Sequence, residues 1–149
     1  MTPLKRILLA EDNKNDIELT LSALEEYNLA NEVVVVRDGV EVLDYLFRRG
    51  QFEGHANGIP AVILLDLKMP RMDGLEALRQ LREEARFKHV PVVMITSSRE
   101  EQDLVRSYEL GVNAYVVKPV DFQKFVECIK QIGFFWALIN EPPPGRAGK

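Results

Sequence analysis

Residues 62–74 read VILLDLKMPRMDG, and this stretch decides the fold. Four apolar residues run without interruption into Asp66, and the turn that follows contains Pro70 and ends in Gly74. An unbroken run of Val, Ile and Leu is typical of a strand covered on both faces, as in a parallel sheet. The stretch therefore predicts a buried strand that ends in a carboxylate at one edge of a parallel sheet.

Four more apolar runs share this character, and segments with helical spacing separate them. The runs lie at residues 7–10, 33–36, 92–95 and 115–117. Between them, apolar residues recur three or four positions apart, which predicts four helices, and a fifth helix is predicted from Phe122 onward. The residues that mark the first four helices are Ile17, Leu21 and Leu24, then Leu43 and Phe47, then Leu75 and Leu78, then Leu104 and Tyr108.

Five βα units in one domain predict an α/β fold. The expected architecture is a doubly wound, five-stranded parallel sheet of flavodoxin-like order 2-1-3-4-5, with helices on both faces. The alternative, an eight-fold βα barrel, needs about 250 residues, and this chain has 149. Ligands of a doubly wound sheet bind beyond the carboxyl ends of its strands, so the chemistry is expected there.

The composition is that of an ordinary globular domain. The hydrophobic share is 46%, the charged share 28% and the formal net charge −4. These values exclude a wholly disordered chain, a collagen-like fibre and a coiled-coil rod. The chain also lacks the excess of basic residues that would favour binding to nucleic acid or to an anionic membrane. No apolar stretch approaches the about 18 residues of a membrane span, and a single cysteine forms no internal disulfide. We expect a cytoplasmic protein with no nucleic-acid or membrane partner.

Polar residues suited to one task follow the ends of four predicted strands. Glu11 and Asp12 follow the first, Asp66 the third, Thr96 the fourth and Lys118 the fifth. Strands one and three are neighbours in the predicted order, so their carboxylates converge and repel each other unless a cation lies among them. Hard oxygen ligands suit Mg²⁺, and a divalent cation, a lysine and a hydroxyl together can stabilise a phosphoryl group.

Each of these residues alone has an ordinary structural explanation. An aspartate after a strand is usually a turn residue or a helix cap, and Asp12 could cap a helix that begins near Asn15.

Dinucleotide-binding, P-loop and esterase motifs are absent from the sequence. His55 and His89 have no metal-ligand spacing with Cys128, so the histidines are expected at the surface and Cys128 inside the fifth helix.

The chain resembles the receiver domains of two-component response regulators, including chemotaxis regulators. Thr96 lies 30 residues after Asp66, and Lys118 lies 22 residues after Thr96, both typical of that family. The resemblance covers about residues 4–133. The matching residues are Glu11-Asp12, Asp66 through Gly74, Thr96-Ser97, Tyr115 and Lys118-Pro119.

The resemblance implies how these residues act. Asp66 would accept a phosphoryl group from a phosphohistidine of a sensor histidine kinase, and Lys118 would pair first with Asp66 and then with the phosphoryl oxygens. Thr96 would be the switch hydroxyl, and Tyr115 the aromatic residue that follows its movement. Such a protein is not an enzyme beyond self-catalysed phosphotransfer and autodephosphorylation.

The resemblance also implies a metal site. The expected Mg²⁺ ligands are Glu11, mostly through a bound water, with Asp12, Asp66 and the main-chain carbonyl of Lys68. The Lys118–Pro119 peptide bond would be cis, and Asp73-Gly74 would form the turn into the third helix.

The apolar spacing near the C-terminus predicts a protein–protein interface. Residues 4–139 are expected to form one receiver domain with an extended C-terminal helix, followed by a flexible tail at 140–149 and no output domain. Apolar residues recur four and three positions apart in the fifth helix, and the last of them lie beyond the part expected to pack on the sheet. We therefore expect a homodimer through helix five and its extension. The residues of this seam are Phe125, Ile129, Ile132, Trp136 and Ile139.

Three short segments resemble single-domain regulators that pair with bacterial or cyanobacterial phytochrome kinases. They are the loop Gly50–Pro60, the Glu11-Asp12-Asn13 opening and the Phe-Phe-Trp segment that ends at Trp136. A phytochrome-type histidine kinase is thus the expected partner.

Two other functions remain alternatives. A Mg²⁺-dependent aspartyl-phosphate phosphatase would carry a second aspartate two residues after its nucleophile, where this chain has Lys68. An interaction module that never carries phosphate would not need Asp66, Thr96 and Lys118 together.

Overall fold

The computed structural model describes residues 6–25, 33–54, 58–97 and 100–118, with residues 123 and 127. Strands and helices alternate along these ranges, with short 3₁₀ turns at Gly50–Phe52 and Ala85–Phe87. The strands are β1 (Ile7–Ala10), β2 (Val33–Val36), β3 (Val62–Leu65), β4 (Val92–Thr96) and β5 (Ala114–Val117). The helices are α1 (Lys14–Glu25), α2 (Gly39–Phe47), α3 (Gly74–Glu83) and α4 (Glu101–Glu109).

The five strands form one parallel sheet in the order β2-β1-β3-β4-β5, which confirms the predicted fold class and strand order. The first three strands have the predicted bounds, whereas β4 continues to Thr96 and β5 begins at Ala114. In the register, Ala10 pairs with Leu65 and Leu65 with Met94. The ends of β1, β3 and β4 therefore lie side by side at one edge of the sheet.

Alternate residues of each central strand contribute to two separate hydrophobic clusters, one on each face of the sheet. Leu8, Ile63 and Met94 face one cluster with side chains of α2 and α3. Leu9, Leu64 and Val93 face the other, which includes Ile17 and Leu24 of α1. Burial of both faces explains why the strands read as unbroken apolar runs.

Aspartate or asparagine side chains cap three of the helices. Asp38 Oδ1 accepts a hydrogen bond from Glu41 N at 2.9 Å, and Asp73 Oδ1 accepts one from Glu76 N at 2.9 Å. Asn13 Oδ1 accepts from Asp16 N at 3.0 Å at the start of α1. Asn13, rather than Asp12, therefore caps this helix, which leaves the Asp12 carboxylate outside the cap.

The fourth helix is present, but its predicted apolar positions do not face the core. Leu104 is 37% and Tyr108 50% exposed, whereas Ser107 is fully buried. The Ser107 hydroxyl donates to the carbonyl of Asp103 at 2.8 Å, so its burial leaves no unpaired donor.

Several predictions concern residues outside the described ranges. They include the fifth helix with its seam and extension, the 140–149 tail, the Lys118–Pro119 peptide bond, His55 and Cys128. His89 is described and is exposed, as predicted.

Candidate functional site

Three carboxylates meet at the carboxyl edge of the sheet. Glu11 and Asp12 follow β1, and Asp66 follows β3, with Asp66 N donating to the carbonyl of Ala10 at 3.0 Å. Each of these acids offers one oxygen, and the three oxygens lie within 4.8 Å of one another. Glu11 and Asp66 are buried, whereas Asp12 is exposed. The structure thus brings together the three acids that the sequence places after adjacent strands.

Lys118 lies against this group from the end of β5. Its Nζ is 2.5 Å from Glu11 Oε1, 2.9 Å from Asp66 Oδ2 and 2.8 Å from Asp16 Oδ2. Its backbone N–H donates to the carbonyl of Thr96 at 2.8 Å, so the lysine is anchored to β4 as well as to its acidic partners. An ammonium group has three N–H donors, and each has a carboxylate within reach here.

Burial and charge act on the protonation of this cluster in opposite directions. Burial raises the pKa of Glu11 above its usual range, although the hydrogen bond from Lys118 opposes that effect. Burial lowers the pKa of Lys118, but hydrogen bonds to Asp16, Glu11 and Asp66 outweigh it and raise that pKa above its ordinary value. Lys118 is therefore a cation at neutral pH, while the raised pKa of Glu11 makes that carboxyl group easier to protonate than an ordinary glutamate.

Asp66 has both carboxylate oxygens in defined contacts. Oδ2 accepts from Lys118, and Oδ1 accepts a longer hydrogen bond of 3.3 Å from the backbone N–H of Lys68. Asp66 is only 5% exposed, so little of its carboxylate is open to solvent. The Lys68 side chain is exposed, in keeping with an expected role for its main chain alone.

The loop after β3 is held close to Asp66 by Gly74. Gly74 N donates to the carbonyl of Leu67 at 2.8 Å. A Cβ at Gly74 would lie 2.3 Å from the carbonyl oxygen of Asp66, so no larger residue fits without moving the loop. Asp73 caps α3 here, which confirms the expected turn into the third helix.

An ion pair fastens the same loop to α2. Arg71 has a positive φ of 61°, and its Nε donates to Asp38 Oδ2 at 2.7 Å. Next to this pair, Gly39 N donates to the carbonyl of Met72 at 2.8 Å, and a Cβ at Gly39 would lie 2.5 Å from that oxygen. The β3–α3 loop therefore packs against the first turn of α2 with no room for an additional methyl group.

The two predicted switch residues lie on neighbouring strands. Thr96 is fully buried at the end of β4 and is level with Val117 of β5. Tyr115 pairs with Met94 and is half-buried against the cluster that includes α2 and α3. Continuing the β3–β4 register by one residue places Asp66 level with Ile95, next to Thr96 in the chain.

Three functional candidates were not predicted from the sequence. Asp16 reaches Lys118 from the first turn of α1, 102 residues away, and the Asp38–Arg71 pair joins residues 33 apart. The weak signal for Asp16 is its position one helical turn after Asp12. An acid in the first turn of a helix is ordinarily explained by the helix dipole, which hides any further role.

The site suits a hard divalent cation. Carboxylate oxygens from Glu11, Asp12 and Asp66 are the donors that Mg²⁺ prefers, and the exposure of Asp12 leaves an open side for water or phosphate oxygens.

In the part of the chain that the structure describes, every helix is too short or too polar to cross a bilayer.

Comparison with known proteins gives consistent matches. Residues 7–130 match the response regulator receiver domain. Response regulator Rcp1 of Synechocystis sp. is 36% identical over 134 residues, which cover 90% of each chain. The structure of the bacteriophytochrome response regulator RtBRR is 62% identical, covers 96% of this chain and 86% of its own, and superposes with a TM-score of 0.83. The Mn²⁺-bound form of Rcp1 covers 89% of this chain and 94% of its own, at 36% identity and a TM-score of 0.74.

Proposed function

The chain belongs to the response regulator receiver domain family, and on that premise we propose that Asp66 accepts a phosphoryl group from a sensor histidine kinase. A carboxylate oxygen of Asp66 bonds to phosphorus while the bond between phosphorus and the donor histidine nitrogen breaks. The new group adds a charge of about −1.5 to −2, with strong acceptor oxygens, to a buried site. That local charge changes which partners the protein binds.

The observation that carries this proposal is the contact between Lys118 and Asp66. Lys118 Nζ lies 2.9 Å from Asp66 Oδ2 and has other acidic partners within reach. The lysine can therefore turn from the carboxylate to a phosphoryl oxygen without leaving the site. An amine preorganised at this distance stabilises charge on the transferred group without a cost of rearrangement.

Glu11, Asp12, Asp66 and the main-chain carbonyl of Lys68 are the proposed Mg²⁺ ligands. When bound, the cation supplies positive charge against the oxygens of the incoming phosphoryl group. The Mn²⁺-bound form of Rcp1, a relative with the same fold, supports a divalent cation here. Asp66 remains the nucleophile, and its burial excludes bulk water from the reacting oxygen.

Thr96 and Tyr115 are proposed to pass the change to the surface. The Thr96 hydroxyl would donate to a phosphoryl oxygen, and Tyr115 would take up the space that this movement leaves. Phosphorylation is in this way a local charge event that biases a two-state element. The exposed side chains of Leu104, Val105 and Tyr108 on α4 lie close in sequence to this element and are available to partners.

Acetyl phosphate labelling tests the phosphoacceptor. With Mg²⁺ present, the wild-type protein should gain one phosphoryl group, detected by intact mass and by mobility on a phosphate-binding gel. Asp66→Asn should gain none. Asp73→Asn is the matched control, because it changes an exposed aspartate seven positions further along the same loop and keeps a good helix cap. Mg²⁺-dependent labelling retained in Asp66→Asn would refute the assignment.

The identity of the partners is a further part of the proposal. The similarity to the bacteriophytochrome response regulator RtBRR supports a phytochrome-type histidine kinase as the donor. Homodimerisation through helix five and its extension, the domain bounds 4–139 and a cytoplasmic location stay predictions. Sedimentation of the full chain with and without beryllofluoride tests the dimer, and a monomer under both conditions would contradict it.

A further inference from the structure

Asp16 is a third carboxylate partner of Lys118 that lies outside the candidate metal group. Its Oδ2 is 2.8 Å from Lys118 Nζ, and its side chain is 31% exposed. Its backbone N–H is fixed by Asn13 Oδ1 at 3.0 Å, so the first turn of α1 holds this residue in place. The acids whose oxygens cluster within 4.8 Å are Glu11, Asp12 and Asp66, and Asp16 is not among them.

The N–H donors of Lys118 Nζ therefore have two kinds of acidic partner. Glu11 and Asp66 belong to the group of carboxylates that would bind a divalent cation. Asp16 lies outside that group, so its carboxylate would not be a direct ligand of the cation. When a cation is bound, Asp16 is therefore the strongest competitor for Lys118 among the three acids.

We propose that Asp16 is a positioning residue that draws Lys118 toward α1 and so balances metal binding against phosphoryl binding. Holding the lysine toward α1 leaves Glu11 and Asp66 more available to a cation. The same ion pair with Asp16 keeps the Lys118 ammonium group further from a phosphoryl group on Asp66. The inference rests on the proposed function, because it assigns a regulatory role within that same site.

The two effects predict changes of opposite sign when Asp16 loses its charge. In Asp16→Asn, one negative charge disappears from near the cation site, and Lys118 competes more strongly for Glu11 and Asp66. Both changes weaken Mg²⁺ binding, by about three- to tenfold for a partly exposed charge several ångströms from the cation, where water and salt screen the interaction. The same changes strengthen binding of an anion at Asp66, by about two- to fivefold.

The experiment measures both affinities by isothermal titration calorimetry on the full chain. Mg²⁺ is titrated first, and beryllofluoride, which mimics a phosphoryl group, is then titrated at saturating Mg²⁺. Glu18→Gln is the matched control, because it removes one negative charge from an exposed position on the same helix. It should change either affinity by less than about 1.5-fold, since exposed charges are screened by solvent. Asp16→Glu should restore most of the wild-type balance.

Opposite shifts in Asp16→Asn, absent from Glu18→Gln, would support the proposal. Weakening of both ligands would indicate a merely structural role for Asp16 and would overturn it, as would no change in either. Equal shifts in Glu18→Gln would also overturn it, because the effect would then be diffuse electrostatics. A wild-type chain that binds no beryllofluoride would instead refute the proposed function, and the Mg²⁺ titration would still test Asp16 on its own.

Discussion

Replacing Asp38 by alanine tests how firmly the β3–α3 loop is fastened to the rest of the domain. One oxygen of Asp38 caps α2 by accepting from Glu41 N, and the other accepts from Arg71 Nε at 2.7 Å. The Asp38 side chain is 7% exposed, whereas that of Arg71 is 57% exposed. The substitution therefore removes a cap and an ion pair together, but it leaves the arginine free to reach water.

The expected loss follows from these two contacts. Removal of an aspartate cap costs about 1 kcal/mol. Because Arg71 is more than half exposed, its ion pair adds no more than about 1 kcal/mol. We expect Asp38→Ala to lower the free energy of unfolding by about 2 kcal/mol, which lowers the Tm by about 4–8 °C in a domain of this size.

Asp73→Ala is the matched control for Asp38→Ala. Asp73 caps α3 with the same 2.9 Å hydrogen bond, but it is exposed and has no arginine partner in the described ion pairs. Its replacement should cost about 1 kcal/mol. Urea unfolding measures both losses, with the slope m unchanged. Equal losses for the two variants would refute the conclusion that the Asp38–Arg71 pair stabilises this loop.

The pH dependence of the free energy of unfolding tests the contribution of Asp38 in a second way. Burial raises the pKa of Asp38, but the hydrogen bonds from Arg71 and Glu41 N–H outweigh it and hold that pKa below its ordinary 3.8. A lowered pKa means that the stability Asp38 contributes is fully present above 3.8 and is lost as the pH falls through the folded-state value. The difference in stability between wild type and Asp38→Asn should thus be constant between about pH 5 and 8 and should shrink in more acidic solution.

Two further substitutions and one ligand addition test other parts of the structure. Gly74→Ala places a Cβ 2.3 Å from the Asp66 carbonyl oxygen, so it should lower the free energy of unfolding in urea by about 1–3 kcal/mol and weaken Mg²⁺ binding. Gly58→Ala is the control and should have neither effect, because a Cβ at Gly58 meets no atom within 4 Å. Arg82 donates to the carbonyls of Phe87, Val90 and Gly111, and Arg82→Lys should lose about 2 kcal/mol in the same assay, against no measurable loss for the exposed Arg79→Lys. Mg²⁺ at about 100 times its Kd should stabilise the wild type by about 2.7 kcal/mol in calorimetry; a gain of the same size in Asp12→Asn at that concentration would contradict the ligand assignment.

The sheet and its acidic edge could be predicted because both depend on short segments of sequence. Each strand is an unbroken apolar run, and the runs at 7–10, 33–36 and 62–65 coincide with the observed strands. Parallel strands bring their carboxyl ends to one edge, so the residues after them converge whatever the details of helix packing. Glu11, Asp66 and Lys118 were therefore found together without any knowledge of side-chain conformation.

The contacts made by helices could not be predicted in the same way. Asp16 reaches Lys118, and Asp38 reaches Arg71, only because of how α1 and α2 dock on the sheet. Helical spacing indicates which face is apolar, but not the rotation that brings one polar side chain to a particular partner. The exposure of Leu104 and Tyr108 has the same origin, because their spacing fits a helix equally well on its outer face.

The charge of the site implies an order of events for the proposed phosphorylation. Glu11, Asp16 and Asp66 contact the ammonium of Lys118, and Asp12, which lies beside Glu11 and Asp66, makes this a group of four acids around one lysine. If all the acids are ionised, this group carries three more negative than positive charges, and raising the pKa of Glu11 removes only part of that excess. A phosphoryl donor is itself an anion, so its approach to Asp66 is opposed until a divalent cation lies among these oxygens. The same excess favours cation binding before the donor arrives, so the proposed function implies that the metal is a condition of phosphorylation.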